Sequence, residues 1–400
     1  MDELKVLFLM GPADCNDRNI PHYGDEFLAK LSDACGFTVR TAPMDEVAAQ
    51  ELPVFFIASG GAEPGFKANY ARVKAPYILL TTPAYNSLAA SMEIMGFLEE
   101  HGQRGEILHG SFERIAARLK ALVCAARAVK KVNGMRLGAF GKPSGLIASE
   151  ADPDALRKAC GMEMLDFDLN ELVEEYHKGG YEENEYTRQL LGAGYKPDEV
   201  KKALNVYGAA KRLVKKYNLQ GITVRCFDLL TLIGTTGCLA LALLNAEGIP
   251  AACEGDKKGL ISMAVLAAVT GGVSFMANPS CMDPDTGEII FAHCTLPITM
   301  PDRYTLTTHF ESGIGVAVSG DLAPCDMTIF KCNDTMTRWY AGKARLLETM
   351  HRSDLCRTQM RLALADGTSY FEHEPISNHH MICRGDWTDA LNEFFHMLGR

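Results

Sequence analysis

The sequence predicts an α/β protein in which two doubly wound α/β domains are followed by a C-terminal antiparallel domain. In two successive blocks, short apolar runs alternate with helical patterns, which is typical of βαβ units and parallel sheets. From Val273 onward, many short runs are broken by Gly, Pro, Asp and Asn, as in an antiparallel barrel or sandwich. The 400 residues also exceed one ordinary core. We predict domains at 1–133, 134–272 and 273–400, the last of them β-barrel-like.

The first block contains five predicted strands separated by amphipathic helices. Apolar runs predict the strands at 5–10, 37–42, 54–59, 77–82 and 106–110. Apolar residues at helical spacing predict helices at 26–35, 63–74 and 87–102. A long helix from Phe112 to about Lys131 then ends at Asn133–Gly134, which is a helix-stop and turn signal.

The second block repeats this alternation from Met135 to Gly272. In open α/β sheets, ligands bind outside the carboxyl ends of the strands. Glu254 lies at one such junction, after an apolar strand-like run, and Arg225 lies at another. The two junctions are therefore candidate positions for a binding site.

Composition and charge exclude several classes of protein. The apolar fraction of 47% and the charged fraction of 22% are those of a soluble globular chain. The formal charge of −10 argues against non-specific nucleic-acid binding, which needs a basic surface. No run approaches the roughly 20 apolar residues that span a bilayer, and the N-terminal run does not predict a signal peptide. Thirteen dispersed cysteines without a CxxC motif fit reduced thiols, so we expect a cytoplasmic protein.

A set of carboxylates and histidines provides the best candidate for chemistry. The run IPAACEGDKKG (249–259) contains Glu254 and a second carboxylate, Asp256. Two histidine sites follow much later, at His293 and at the pair that begins with His379. Carboxylate oxygens and neutral imidazoles form a mixed ligand set that suits Mn²⁺ or Mg²⁺. Such an ion can polarise a sugar carbonyl and its neighbouring hydroxyl.

Each of these residues also has an ordinary structural interpretation. Glu254 could be a solvated carboxylate at a helix start, where the helix dipole favours it. His293 lies in a strand-like run and could be a hydrogen-bonded core residue. His379 and His380 are adjacent, and neighbours on an extended segment face opposite ways, so at most one of them is expected to reach a shared site. His309 and Glu311 share one face if their run is extended, and could form an ion pair or bind a polyol.

Phosphate-binding and hydrolase motifs give no competing prediction. Glycine-containing turns follow two strands, but neither matches GxGxxG or GxxxxGK[ST], so a dinucleotide or P-loop site is weakly supported. The sequence contains no GxSxG and no HExxH.

Four stretches of the chain resemble the L-fucose isomerase and L-arabinose isomerase superfamily: 141–149 (GKPSGLIAS), 226–256 (ending CEGD), 274–280 (SFMANPS) and 378–387 (NHHMICRGDW). The N-terminal third matches in architecture more than in motif. The resemblance implies two Rossmann-like α/β domains followed by a β-rich domain. It also implies reversible aldose–ketose isomerisation through an ene-diol, with a divalent cation that is commonly Mn²⁺.

The resemblance carries specific roles to three residues. Glu254 matches a metal-binding carboxylate that also serves as an acid/base, and His379 matches a histidine ligand near the C-terminus. His293 resembles an additional histidine ligand of the arabinose-type enzymes. Asn378, which precedes His379, is expected to contact the substrate, as are Arg225, His309 and Glu311 at their loop and strand-end positions.

The chain departs from the family pattern at Asn278. A second metal-binding carboxylate is expected within 274–280, and an asparagine there can offer a carbonyl oxygen to a hard cation but cannot act as a base. Either another carboxylate replaces it, or the metal binds more weakly, or the chemistry differs. The candidate replacements are Asp256, Asp283, Asp285 and Glu311.

We therefore predict a metal-dependent isomerase that acts on an open-chain aldose, including deoxy or anionic sugars. Four cationic side chains could contact an anionic group: Lys257, Lys258, Arg303 and Arg384. The alternatives are a non-catalytic sugar-binding or regulatory protein on the same scaffold, and a metal-dependent lyase or epimerase. The resemblance further implies a homo-oligomer whose active sites borrow residues from a neighbouring subunit, through the loops at 11–17, 59–65 or 83–87.

Overall fold

The computed structural model describes residues 3–11 and 19–399. The chain divides into two compact units, Met1–Lys130 and Lys131–Leu398. The first unit contains one parallel sheet, whereas the second contains another parallel sheet and a closed antiparallel barrel. The predicted mixed α/β class with a C-terminal barrel is thus confirmed. The domain boundaries at 133 and 272 stay predictions.

A five-stranded parallel sheet forms the centre of the first unit. Its strands are β1 (Glu3–Leu9), β2 (Thr38–Thr41), β3 (Val54–Ile57), β4 (Tyr77–Thr81) and β5 (Gly105–Leu108). They lie in the order β2-β1-β3-β4-β5, and every neighbouring pair is parallel. Each strand overlaps one of the five predicted apolar runs. The runs of β3 and β4 are continuous because both faces of these strands are buried.

Helices connect these strands and differ from the prediction at two places. They are α1 (Asn19–Cys35), α2 (Met44–Ala48), α3 (Glu63–Asn69), α4 (Ser87–Glu100) and α5 (Phe112–Val132). Helix α1 starts well before the predicted residue 26, since Pro21 and Gly24 weaken the sequence pattern of its first turns. A side chain at Gly24 would begin 2.7 Å from the Phe8 ring, so close packing on β1 explains that glycine. Helix α2 has five residues, too few to show periodicity.

A four-stranded parallel sheet forms the first part of the second unit. Its strands are β6 (Arg136–Phe140), β7 (Glu163–Phe167), β8 (Gly221–Val224) and β9 (Ala251–Ala252). The order β7-β6-β8-β9 places the switch in connection direction between β6 and β8. Crevices at such switch points are the usual ligand sites of open α/β sheets.

Seven helices surround this sheet: α6 (Pro153–Cys160), α7 (Leu169–Lys178), α8 (Glu185–Leu191), α9 (Pro197–Tyr217), α10 (Cys226–Leu232), α11 (Cys238–Ala246) and α12 (Lys257–Thr270). The sequence interpretation missed α6 and α8, although both begin with cap signals. Asp152 caps α6, and Asn184 forms a capping box with Thr187 at α8. Helix α12 is buried along most of its length.

The remaining strands are β10 (Phe275–Asp283), β11 (Glu288–His293), β12 (Arg303–Thr307), β13 (Ala317–Asp321), β14 (Asp326–Cys332), β15 (Trp339–Met350), β16 (Thr358–Leu364) and β17 (His380–Arg384). Six of them close an antiparallel barrel in the order β10-β11-β16-β15-β14-β17. Strands β12 and β13 pair separately as a hairpin. The short helix α13 (Ser369–His373) precedes β17, and the predicted C-terminal helix is α14 (Thr388–Met397).

Neither a membrane-crossing helix nor a disulfide is expected from the composition. No helix among the described residues is long and apolar enough to cross a membrane. None of their cysteines takes part in a disulfide, and most of them are buried.

Candidate metal centre

A tight turn between β9 and α12 presents the carboxylate of Glu254. Both Glu254 (φ +62°) and Gly255 (φ +68°) adopt the left-handed backbone conformation. Ser144 N–H donates to the Glu254 carbonyl at 2.9 Å, and Gly255 N–H donates to the Val224 carbonyl at 3.0 Å. A side chain at Gly255 would begin 2.9 Å from the Lys142 carbonyl oxygen, so only glycine fits. Left-handed glutamate is disfavoured, and such strain is frequent at functional sites.

Glu254, His293 and His379 converge into one buried cluster. Their ligand atoms all lie within 4.8 Å of one another. Glu254 Oε1 is 3.8 Å from His293 Nε2 and 3.8 Å from His379 Nε2. Glu254 is 7% exposed, His293 5% and His379 0%. Three residues from the β9–α12 turn, the end of β11 and the start of β17 thus meet at one point.

The two imidazoles are oriented by partners behind them. Asp256 Oδ2 accepts a hydrogen bond from His379 Nδ1 at 2.9 Å, and Thr295 Oγ1 is bonded to His293 Nδ1 at 3.0 Å. Both Nε2 atoms consequently point toward Glu254. His379 Nε2 is buried without a hydrogen-bond partner, which is unfavourable unless a ligand occupies the position in front of it. A histidine held by a carboxylate at one nitrogen and open at the other is the usual arrangement behind a metal ion.

The surroundings of Glu254 and Asp256 favour the ionised form of both carboxylates. Burial alone would raise the pKa of Glu254, but the neighbouring imidazoles of His293 and His379 lower it to about 2. Burial likewise opposes ionisation of Asp256, yet Lys331 and His379 hold its pKa well below the usual range. Both carboxylates are therefore ionised at neutral pH. The residues present fit a divalent cation with one carboxylate and two imidazole ligands.

A fully buried lysine, Lys331 of β14, lies behind this arrangement. Its Nζ is 3.8 Å from Asp256 Oδ2 and has no hydrogen-bond partner. Burial lowers the pKa of Lys331, and the charge of Asp256 opposes that shift. Asp256 also accepts from Gly259 N–H at 2.8 Å, which caps α12. Asp256, predicted as a catalytic residue, thus faces His379, Lys331 and a helix N-terminus.

Asn278 and Asn378 connect to the same cluster through their amides. Asn378 Nδ2 donates to Asn278 Oδ1 at 2.9 Å, and Asn378 Oδ1 accepts from His379 N–H at 2.8 Å. Met276, two residues before Asn278 on β10, contacts the backbone of the β9–α12 turn through its sulfur. Side chains two apart on a strand share a face, so Asn278 is on the side of Glu254. Its role as a metal ligand stays a prediction.

The other histidine of the pair, His380, faces elsewhere. Its Nδ1 is bonded to the Asn378 carbonyl at 2.8 Å and its Nε2 to the Tyr370 hydroxyl at 3.0 Å. Burial, followed by the charge of Lys331, lowers the pKa of His380 to about 3. One member of the adjacent pair reaches the cluster and the other does not, as the alternation of an extended segment predicts.

Arg225 lies in a separate cavity at the switch point of the second sheet. The cavity has a volume of about 660 Å³, and its walls include Gly141 after β6, Asp168 after β7 and Arg225 after β8. Arg225 pairs with Asp228 at 2.9 Å and donates to the Pro143 carbonyl at 3.0 Å. None of Glu254, His293 and His379 is among the residues that line this cavity. Substrate binding by Arg225 stays a prediction.

His309 and Glu311 form the ion pair that was one of their two predicted arrangements, with Nε2 and Oε2 2.8 Å apart. Neither belongs to the cluster around Glu254. Of the other proposed replacement carboxylates, Asp283 is the last residue of β10 and Asp285 lies in the exposed turn after it. Asp283 is five residues along the strand from Asn278, roughly 16 Å at ordinary strand rise. That distance excludes both aspartates as replacements.

Each cationic residue that was predicted to meet an anion already has a partner. Lys258 Nζ is bonded to Ser149 at 2.6 Å, and the other three form ion pairs: Lys257 with Asp166, Arg303 with Asp321, and Arg384 with Asp302. An anionic substrate group would have to compete with these pairs.

Comparison with known proteins finds relatives that are sulfoquinovose isomerases. The chain is 25% identical over 333 residues to the sulfoquinovose isomerase of Priestia megaterium, covering 78% of this chain and 74% of that protein. The sulfoquinovose isomerase of Priestia aryabhattai gives the same values. That of Alkalicoccus urumqiensis is 24% identical over 221 residues, 52% of this chain and 49% of its own. No family model matches the chain.

These relatives indicate an isomerase. They support the prediction of an intramolecular oxidoreductase and agree with the resemblance to sugar isomerases noted from the sequence.

Proposed function

We propose that this chain is an aldose–ketose isomerase of an anionic sugar, and that sulfoquinovose, a sulfonated deoxy-aldose, is its substrate. The observation that carries the proposal is the buried convergence of Glu254, His293 and His379, with both Nε2 atoms 3.8 Å from one carboxylate oxygen. The names of the relatives supply the substrate class. We propose a divalent cation, with Mn²⁺ as the first candidate, held by these three side chains.

The bound cation would supply Lewis-acid polarisation of the sugar carbonyl and its neighbouring hydroxyl. The chain provides the proton transfer. Glu254 is ionised at neutral pH, so its carboxylate has a free lone pair with which to accept the C2 proton of an open-chain aldose. Returning that proton to C1, with the hydroxyl proton of O2 passing to O1, yields the ketose. Asp256 fixes the proton of His379 on Nδ1 and thereby keeps Nε2 available as a ligand.

Glu254 is the single carboxylate in the cluster of ligand atoms found among the described residues. Since Asn278 cannot act as a base, we propose that Glu254 performs both proton transfers. A single base delivers the proton to the same face of the ene-diol from which it was removed. Part of the hydrogen removed from C2 is then expected at C1 of the product.

Deuterium exchange tests this proposal. The protein is incubated with Mn²⁺ and sulfoquinovose in D₂O, and the sugar is followed by NMR, with glucose as the uncharged comparison. We expect ketose formation with deuterium at the exchanging carbons, and a much slower reaction with glucose. Sugar that binds but never exchanges would instead identify a non-catalytic binding protein. Products of carbon–carbon cleavage would identify a lyase. An aldose with inverted configuration at C2 would identify an epimerase.

Replacing Asn278 with aspartate is expected to strengthen metal binding about tenfold or more. A negative charge added on this face attracts a divalent ion, and close opposite charges interact by several kcal/mol even at an effective dielectric constant of about 20. Aspartate can still accept the hydrogen bond from Asn378. Calorimetric titration with Mn²⁺ measures the change. Asn170→Asp adds the same charge at the exposed start of α7 and serves as the control; equal affinities in the two variants would place Asn278 outside the metal centre.

We also propose that the protein is a homo-oligomer with shared active sites, as the family resemblance implies. Of the three loops predicted to reach a neighbour, 11–17 lies almost entirely outside the described residues. In the loop 83–87, Tyr85 and Asn86 are consecutive left-handed residues, and Tyr85 is 40% exposed. A bulky left-handed side chain exposed on a loop is a feature of binding sites. Analytical ultracentrifugation determines the oligomeric state.

A further inference from the structure

A second group of ligand atoms lies beside the first, on separate segments of the chain. Cys294 directly follows β11, Glu311 lies between β12 and β13, and Cys356 lies between β15 and β16. The two sulfur atoms and one carboxylate oxygen are all within 4.8 Å of one another. Nothing in the proposed isomerisation uses these three side chains.

We propose that Cys294, Glu311 and Cys356 form a second metal site, which takes Zn²⁺ or another thiophilic divalent ion. Two thiolates and a carboxylate are ligands of zinc, whereas Mn²⁺ and Mg²⁺ prefer oxygen and imidazole donors. Cys356 Sγ and Glu311 Oε1 are 3.5 Å apart. Tetrahedral zinc, with bonds of about 2.3 Å to sulfur and 2.1 Å to oxygen, places two such ligands about 3.6 Å apart.

Glu311 is oriented for this role from behind. Its Oε2 is paired with His309 Nε2 at 2.8 Å, which leaves Oε1 directed at Cys356. His309 Nδ1 is in turn bonded to Ser312 Oγ at 2.9 Å, so both ring nitrogens are engaged. Ligating carboxylates in proteins are commonly held by such an outer hydrogen bond. The ion pair predicted from the sequence thus becomes a support for the site.

The three ligands are bordered by an apolar cluster on one side and are accessible to solvent on the other. Cys294 is buried and packs with Cys238 and Ala317 in a small apolar cluster, against which Phe310 and Cys356 lie. Glu311 is exposed and Cys356 is half-buried, so an ion can reach the three ligands from solvent. Three protein ligands leave a fourth tetrahedral position open to solvent.

Because Cys294 directly follows His293, an ion bound here would fix the end of β11 next to the first centre. The site would join three segments that are distant in sequence, and structural zinc contributes to stability in that way. The two centres would be distinguished by the softness of their ligands, with thiolates in one and imidazoles in the other.

Cobalt titration tests the proposal, because thiolate ligation gives Co²⁺ an intense near-ultraviolet charge-transfer absorption that imidazole and carboxylate ligands lack. The full-length protein is stripped with a chelator, reduced and titrated. We expect the absorption to saturate at one equivalent per chain and to disappear in Cys356→Ser. It should persist in Glu254→Gln and in the control Cys281→Ser, which removes an exposed cysteine elsewhere.

Metal analysis supplies a second measurement that does not depend on activity. The wild-type protein is expected to retain two divalent ions per chain, and Cys356→Ser and Glu254→Gln one each, with circular dichroism to confirm that both are folded. Wild-type protein without the absorption, or Cys356→Ser with it, would overturn the proposal. So would two fewer free thiols in the unreduced protein, which would indicate a disulfide. Loss of isomerase activity with the absorption intact would refute the proposed function and leave this site standing.

Discussion

Replacing Glu254 with glutamine is expected to reduce isomerisation at least about a thousandfold, because removal of a positioned general base alone costs about 10²–10⁴ in rate. The substitution also removes the one anionic ligand of the cluster, so bound Mn²⁺ is expected to fall in parallel. Glutamine is nearly isosteric, and the fold should survive. Steady-state kinetics and metal analysis of the same preparation measure the two effects.

Glu348→Gln is the matched control, because that carboxylate lies on β15 with half of its side chain exposed and pairs with Arg361. It should change neither quantity. Retention of both activity and metal in Glu254→Gln would contradict the assignment of the centre. Retention of metal with loss of activity would separate the two roles and keep Glu254 as the base.

Replacing Asp256 with alanine is expected to lower the free energy of unfolding of the metal-free protein by about 4 kcal/mol, more than any of the other proposed substitutions. Removing one partner of a buried charge pair typically costs 3–5 kcal/mol, since the other charge is left uncompensated. Here Lys331 loses its neighbour, His379 loses its acceptor, and α12 loses its cap. Metal affinity should fall by about 10–100-fold, as for other outer-sphere carboxylates. Urea unfolding and calorimetric titration give the two values.

Asp152→Ala separates the capping contribution from the electrostatic one. Asp152 caps α6 by accepting from two backbone N–H groups in an exposed setting, and its loss should cost about 1 kcal/mol. The double variant Asp256→Ala with Lys331→Met should regain part of the stability, since no unpaired charge remains, without regaining metal affinity. If Asp256→Ala lowers the free energy of unfolding no more than Asp152→Ala does, the charge of Asp256 does not stabilise the buried Lys331.

The sequence was sufficient to locate most strands and the main ligands. Apolar runs of the parallel sheets are continuous because both faces are covered, and Glu254 follows one of them directly. The family resemblance identified His293 and His379, which periodicity alone could not separate from core histidines. The fold then explains why the two rings converge, because β11 and β17 both neighbour β10 in the closed barrel.

Lys331 and Thr295 were not predicted, for physical reasons. A lysine in a strand normally points to solvent, yet β14 is buried from Met327 to Cys332 because α12 covers the outer side of the barrel there. Nothing in the local sequence records that cover. Asp256 was predicted as a catalytic residue because it follows Glu254 closely. The turn directs the two carboxylates differently, so one faces the ligand cluster and the other the back of His379.

The left-handed conformation of Glu254 has a consequence for engineering this protein. Holding a long L-residue in that region costs roughly 1–2 kcal/mol, whereas glycine and asparagine tolerate it. Selection for thermal stability alone would therefore favour those residues at position 254 and return robust but inactive protein. Engineering for thermal stability should therefore leave this turn unchanged and substitute residues elsewhere. At position 254 the most stable residue and the proposed catalytic residue are not the same.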